Sequence, residues 1–389
     1  MKLVALAGRP EEAVRVALLS HGWEGDLSRS TADALESLAY HLTEAAGPTL
    51  EALVTAGSRL GVEVITGDDW ALVAGSRARL SALARPWTSP ELLQELAAVL
   101  GHWLPGEDPL LWQTARGPIV LDRPVIVGIL NLTPDSFSDA GRYQSVDAAV
   151  GRAEQLLADG AGILDIGGES TRPGATPVSE AEELRRVVPG IAAIVHRFPD
   201  CVVSVDTVKA GVARAALDAG AAIVNDVSGF RLDPALPALC AKRQAGVILM
   251  HSRGGAGELA SRQHAEYDGG VLAAVIAETG AAVARARAGG VSADRIVVDP
   301  GLGFGKTAEQ NVELLRGLAA LRVLGRPILV GPSRKRFLGE LTGRELEDRD
   351  AATAAVCAMA WASGARLFRV HEPAPTRDAL AIAQAMRPR

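Results

Sequence analysis

Cysteine is scarce. The 389 residues hold three, Cys201, Cys240 and Cys357, set far apart and with no CxxC pair among them. An odd number at wide spacing argues against a secreted disulfide framework and against a cysteine zinc site, and fits small buried thiols in a reducing compartment. Lysine is scarce too: only Lys2, Lys209, Lys242, Lys306 and Lys335 stand among 40 basic residues, so each one invites a reason. Positive charge is not in excess, since the net charge is −6, and nothing resembles the electrostatic footprint of a nucleic-acid binder. Long apolar runs are missing as well. The longest uncharged one, Ala351 to Ala365, has 15 residues, too few to cross a bilayer. The N-terminus passes from Met1-Lys2 to Gly8-Arg9-Pro10-Glu11-Glu12 with no room for the apolar core of a signal peptide. A soluble, cytoplasmic protein is expected.

What remains is globular. A hydrophobic content of 48% against 22% charged residues excludes a disordered chain. The length suits two or three domains, or one barrel with an addition. Five of the six tryptophans, Trp23, Trp70, Trp87, Trp103 and Trp112, precede residue 115. Pro/Gly punctuation from Gly106 to Pro118 marks a boundary. A smaller mixed α/β domain is therefore expected over 1–115 and a second domain over 119–389. In the first, a helix is expected from Ser30 or Thr31 to about Ala45 and another from Pro48 to Gly61. A hairpin should turn at Gly67-Asp68-Asp69, and a further helix should start at Thr88-Ser89-Pro90-Glu91. No catalytic motif stands out there.

The second part repeats a different unit. Short Val/Ile/Leu runs alternate with helical patterns: 125–130, 162–166, 202–205, 223–224, 247–250, 296–298, 328–330 and 366–370. Continuous apolar runs are strands buried on both faces, as in parallel sheets. Eight such units in this length predict a closed (β/α)8 TIM barrel. The helices are expected over 146–158, 179–196, 209–219, 234–243, 267–288, 308–321, 336–363 and 375–386.

Chemistry in this architecture is built at the carboxyl ends of the strands. The residues just past the runs are Asn131; Asp165 with Glu169; Asp206; Asn225 with Asp226; His251; Asp299; Ser333 with Lys335; and Arg369 with His371. Every unit ends in a polar or charged side chain. Asp206, Asn225 and Asp299 suit the donor/acceptor edge of a heterocycle, while Arg172, Lys335, Arg369 and His371 suit an anion. A nitrogen heterocycle carrying phosphate would satisfy both sets. Two loops, Asn131–Asp139 and Gly167–Gly174, have the hydroxyls and glycines to close over an oxyanion.

Other motifs fail on inspection. Gly301–Thr307 looks like a phosphate loop, but a Walker A pattern needs glycine where Pro300 stands and a dinucleotide fingerprint needs glycine where Lys306 stands. His196 and His264 have no partners at metal-ligand spacing, and His251 is expected to pack in its loop. No serine sits in a nucleophile elbow.

The strings Gly128–Asp139, Asp165–Gly174, Ser204–Thr207, Asn225–Gly229, Leu249–His251, Asp299–Thr307, Ser333–Lys335 and Arg369–His371, in this order, resemble the dihydropteroate synthase family over about residues 119–389. The resemblance implies condensation of 7,8-dihydropterin-6-ylmethyl diphosphate with 4-aminobenzoate, releasing diphosphate. Carried over by position, it implies that Asp206, Asn225, Asp299 and Lys335 hold the pterin, with Met250 and Phe304 beside it. Arg369 and His371 would take the diphosphate, and Thr171 and Arg172 would belong to the second loop. Asn131 would contact Mg2+, and Phe137, Pro173, Phe304 and Lys335 would frame the aminobenzoate. Lys335, Asp206, Arg369 and His371 would carry most of the catalytic effect, in an SN1-like loss of diphosphate followed by arylamine attack. Small-molecule substrates and a homodimer are implied, with no nucleic acid or membrane partner.

Ser252 after His251 and Glu372-Pro373 after His371 depart from common family sequences at positions that contact nothing in the motif. The extra N-terminal segment resembles neither the kinase nor the aldolase that can accompany this enzyme. A corrinoid-type pterin methyltransferase would share the barrel and the Asp/Asn edge. It has no diphosphate to bind, and would lack the Thr133–Phe137 loop, Ser170–Pro173 and Arg369–His371, all present here. A non-catalytic pterin-binding protein would tolerate loss of Asn131, Arg172 or His371, which are also retained.

Overall fold

The computed structural model describes residues 2–5, 37–43, 47–83, 111–132, 142–169, 178–255, 257–267 and 270–386. The chain divides into two compact units, residues 1–108 with 319–325, and residues 109–318 with 326–389.

In the smaller unit, β1 (Lys2–Ala5), β2 (Ser37–Thr43), β3 (Glu63–Thr66) and β4 (Ala71–Ser76) form an antiparallel sheet in the order β1-β2-β4-β3. Helix α1 (Gly47–Leu60) buries Leu50, Leu53 and Ala56. It approaches the sheet so closely that a Cβ on Gly57 would lie 2.5 Å from Val64 Cγ2. A short α2 (Arg77–Leu83) follows. The expected helix at Pro48 and the hairpin at Gly67 are both present, the turn closed by Gly67 N–H donating to Trp70 O at 2.9 Å. The helix expected to end near Ala45 is corrected: Ser37–Thr43 is the strand β2, paired on both sides. Its Leu38, Tyr40 and Leu42 alternate at the period of a strand, and pairing with two neighbours overrides a weak local helix preference. The helix start at Thr88 lies outside the described residues.

The larger unit begins with a hairpin, β5 (Leu111–Thr114) and β6 (Gly117–Val120). Residues 111–118 are therefore part of this unit and not a linker. Trp112, fully buried, packs with Val127, Ile163, Ile223, Ile248, Val297, Leu329 and Leu367. These residues sit at or near the amino-terminal ends of the barrel strands, so the hairpin plugs that end. Trp112 Nε1 donates to Arg295 O at 2.9 Å, which supplies the partner a buried indole needs.

The barrel follows as β7 (Val125–Asn131), α3 (Arg142–Ala158), β8 (Ile163–Gly167), α4 (Glu180–Arg197), β9 (Val202–Asp206), α5 (Ala210–Asp218), β10 (Ile223–Asp226), α6 (Leu236–Lys242), β11 (Gly246–Met250), α7 (Val271–Ala288), β12 (Ile296–Asp299), α8 (Ala308–Arg316), β13 (Leu329–Val330), α9 (Arg336–Thr342), α10 (Asp350–Ala362), β14 (Leu367–Val370) and α11 (Pro373–Ala385). All eight strands pair in parallel, in the order β12-β11-β10-β9-β8-β7-β14-β13. A parallel bridge from Val298 to Ile328 joins the two ends of the series and closes the barrel. Strands β8 and β11 are buried along their whole length, as continuous apolar runs require. Helix starts are chemically marked. Ser179 caps α4 ahead of Glu180, Glu182 and Glu183, and Thr307 with Gln310 forms a capping box on α8. The single helix expected over 336–363 is two, α9 and α10. Gly343, with φ +69°, ends the first in a left-handed turn that glycine adopts without strain.

Candidate active site

The eight parallel strands bring their carboxyl ends to one mouth, where a charge cluster sits on the barrel floor. Asp165, wholly buried in β8, accepts at Oδ2 from Arg369 Nε (2.6 Å) and from Asn225 Nδ2 (2.9 Å). Arg369, from β14, extends a second nitrogen to Asp206 Oδ2 at 2.7 Å. One guanidinium thus ties the last residue of β9 to the middle of β8. Burial opposes its charge, but the Asp165 and Asp206 carboxylates outweigh burial and hold Arg369 above its ordinary value. Burial pushes Asp206 up to about 7. The Arg369 cation works against that rise and the Asp165 carboxylate adds to it. Asp165 Oδ1 has no partner among the described residues.

Asp299 ends β12 at 4% exposure and accepts from the Gly301 N–H at 2.7 Å. Burial lifts it to about 6, against that hydrogen bond and the Lys335 and Arg369 cations. Lys335 precedes α9, and its ammonium lies 3.9 Å from the centroid of the Phe304 ring, within range of a cation–π attraction. Burial, with the Arg369 cation nearby, takes Lys335 down to about 8. Phe304 belongs to an apolar cluster with Met250, Val227 and Leu259. His371 is fixed through Nδ1, 2.9 Å from Ser333 Oγ, and the same Oγ accepts from its backbone N–H at 3.1 Å. Asn131 ends β7, half-buried, with Oδ1 near the Gly167 backbone. Asp206, Asn225, Met250, Asp299, Phe304, Lys335, Arg369, His371 and Asn131 therefore all stand at or next to the carboxyl ends of the strands. Phe137, Thr171, Arg172 and Pro173 lie outside the described residues.

Two further lysines are built into the surround. Lys306, 1% exposed, donates to Gly301 O (2.9 Å) and Phe304 O (2.9 Å) and lies 3.0 Å from His251 Nδ1. An ammonium only donates, so His251 Nδ1 accepts and its proton is on Nε2, which faces Glu278 Oε2 at 3.0 Å. Burial and the Lys306 cation pull His251 down to about 4, and burial pulls Lys306 down to about 7. Glu278 falls to about 2, because hydrogen bonds from His251 and Arg253 outweigh its burial. Lys209 bridges Glu169 and the buried Glu183, 2.5 Å from each. Glu169 Oε1 also accepts from the Val178 N–H at 3.1 Å. Asp165 was visible in sequence as a strand-end acid, but its tie to Arg369 was not. The scarcity of lysine was the one signal that pointed to Lys209 and Lys306.

A closed barrel with paired acids and cations gathered at its carboxyl end defines a (β/α)8-barrel enzyme. The family profile described as "Pterin binding enzyme" matches residues 127–371. Dihydropteroate synthase of Synechocystis sp. is 44% identical over 265 residues, 68% of this chain and 90% of that protein. Among solved structures, a Xanthomonas albilineans dihydropteroate synthase with 4-aminobenzoic acid superposes with TM-score 0.67 at 44% identity, covering 72% of this chain and all of that one. The same enzyme in complex with 7,8-dihydropteroate gives TM-score 0.64 at 42% identity over the same shares. The chain belongs to the pterin-binding enzyme family, among the dihydropteroate synthases.

Proposed function

We propose that this chain condenses 7,8-dihydropterin-6-ylmethyl diphosphate with 4-aminobenzoate to give 7,8-dihydropteroate and diphosphate. The observation that carries the reading is the joint placement of Asp206, Asn225, Asp299, Lys335, Arg369 and His371 at one barrel mouth, in a chain similar to synthases solved with the product and with 4-aminobenzoic acid.

In this reading a buried carboxylate, Asp206 or Asp299, receives the paired N–H groups of the pterin edge, and the Asn225 amide serves a mixed edge. Met250 and Phe304 wall the ring. Arg369 and His371 face the diphosphate, and Lys335 adds positive charge over Phe304. The bond from the pterin methylene to the diphosphate oxygen breaks first. The dihydropterin ring delocalises the cation left behind, and the cationic side chains stabilise the leaving oxygens. The aminobenzoate nitrogen then forms the new C–N bond and releases a proton. Thr171, Arg172, Phe137 and Pro173, assigned here from the sequence alone, complete the aminobenzoate side, where closure would exclude water from the cation.

Asn131 fits a Mg2+ contact. Among the described residues no group of three His, Cys, Asp or Glu could hold a metal. Magnesium draws most of its shell from water and substrate phosphate oxygens and needs few protein ligands, so the Asn131 amide oxygen would serve as the protein contact. When bound, Mg2+ would neutralise charge on the leaving diphosphate. No helix among the described residues is long and apolar enough to cross a membrane, and we place the enzyme in the cytoplasm. Met359 on α10, Ile382 on α11 and Met386 just beyond it are exposed, on two helices that pack together, and we assign the contact of a homodimer to these two helices.

The test is diphosphate release from purified full-length protein with pterin diphosphate and Mg2+, with and without 4-aminobenzoate. Release that requires both, with dihydropteroate as product, is expected. Tight pterin binding without release would favour a non-catalytic pterin binder.

A further inference from the structure

A cavity of about 240 Å3 opens beside the barrel mouth, lined by residues after β10 and β11 and by one face of α7. None of Asp206, Asn225, Asp299, Lys335 or Arg369 lines it. Three guanidinium groups do: Arg231, Arg253 and Arg285. Arg253 is matched by Glu278, and Glu278 is further engaged by His251. Among the described residues the Arg285 guanidinium donates only to the neutral Gly229 carbonyl, at 3.0 and 3.3 Å. Arg231 is exposed and its side chain has no partner among the described residues. The nearest buried acid behind them, Asp226, is held by the Ser228 hydroxyl and by the N–H groups of Ser228 and Phe230.

Among the described residues neither Arg231 nor Arg285 is in direct ion-pair contact with a carboxylate; the one carboxylate that lines the cavity, Glu278, is already engaged by Arg253 and His251. The two cations feel each other: partial enclosure and the Arg285 cation lower Arg231 from its ordinary value, and they outweigh the more distant Asp226 and Glu278 carboxylates, which act the other way. Thr279, 1% exposed, also lines the cavity, and its hydroxyl has no partner among the described residues. Two guanidinium groups without a direct ion pair, beside a spare buried hydroxyl, are suited to a multivalent oxyanion, which would satisfy all three groups at once. Met250, Ala281 and Ala282 give the remaining wall an apolar character.

We propose that this cavity is a second anion site, taking a phosphate group through Arg231, Arg285 and Thr279, apart from the diphosphate site assigned to Arg369 and His371.

The experiment is calorimetric titration of the full chain with inorganic phosphate at constant ionic strength. The wild type should bind two phosphates. Arg231→Ser should lose one, or weaken it at least tenfold, while Arg231→Lys retains it. Arg231 is exposed and outside the reaction site, so unchanged condensation turnover would show that Arg231→Ser is folded. His371→Gln should lose the other phosphate and keep this one. Equal stoichiometry and affinity in wild type and Arg231→Ser would overturn the proposal. A site lost in Arg231→Ser with none lost in His371→Gln would uphold it and overturn the diphosphate role of His371.

Discussion

The ammonium of Lys306 lies 3.0 Å from Nδ1 of His251, with both groups buried. The pair joins the end of β11 to the loop after β12, because Lys306 also holds the carbonyls of Gly301 and Phe304. The loop that presents Phe304 to Lys335 is thus fixed from below by a charge that burial disfavours.

That cost has a pH signature. Lys306 is held near 7 in the folded protein, against 10.5 ordinarily. Between those values the unfolded chain binds more protons, so this group makes stability rise with pH, by at most about 1.4 kcal/mol per unit. Lys306→Met removes the slope and leaves three acceptors unbonded, lowering stability at pH 7 by about 1–3 kcal/mol. Urea unfolding of both proteins at pH 7 and pH 9 measures the difference. Equal gains between the two pH values would show that Lys306 is not the titrating group.

Asp165 is expected to act through Arg369. In Asp165→Asn the amide can still accept one hydrogen bond, but the charge that orients the guanidinium is gone. Losing one charge-assisted bond, worth about 1.5–3 kcal/mol, should reduce kcat/KM for the pterin diphosphate by about 10–100-fold. Most of the effect should fall on the pterin, and KM for 4-aminobenzoate should change little. Steady-state kinetics with each substrate varied in turn would reveal it. A variant kinetically like the wild type would mean that Arg369 needs only Asp206.

Much of this was legible in the sequence, and the exceptions share a cause. Eight apolar runs ending in polar residues announced the barrel and its mouth, because strand burial and loop chemistry are local properties of the chain. Ser37–Thr43 was not legible, since its strand state depends on partners on both sides, each some thirty to forty residues away. Trp112 was grouped with the N-terminal tryptophans, yet it fills the bottom of the barrel. Asp165 and Lys306 were readable as residues but not as links, because their partners Arg369 and His251 come from distant positions.

Lys335 gives a second pH dependence, this time of activity. Burial holds it near 8. Above that value it loses the charge that the proposed pterin and diphosphate contacts use. The ratio kcat/KM for the pterin diphosphate should therefore decline above about pH 8, approaching about tenfold per unit. Rates between pH 6.5 and 9.5 at fixed ionic strength test this. A profile flat to pH 9.5 would assign the charge elsewhere. Lys335→Ala should abolish condensation while leaving the fold intact by circular dichroism.

Gly301 and Gly343 separate two reasons for glycine. Both have positive φ, +67° and +69°. A Cβ on Gly301 would lie 1.9 Å from the backbone oxygen of His251, whereas one on Gly343 would meet nothing within 4 Å. Gly343→Ala should cost only the left-handed backbone conformation, about 1–2 kcal/mol. Gly301→Ala carries the same cost and must also push the loop after β12 away from β11. That movement would disturb the N–H bond to Asp299 and the Lys306 contacts. Its loss should exceed that of Gly343→Ala by about 2 kcal/mol or more, and turnover should fall with it. Urea denaturation of the two variants side by side measures the gap. Equal losses would mean that the β11 and β12 loops separate without strain, and that the close approach at Gly301 contributes nothing to holding Asp299 in place.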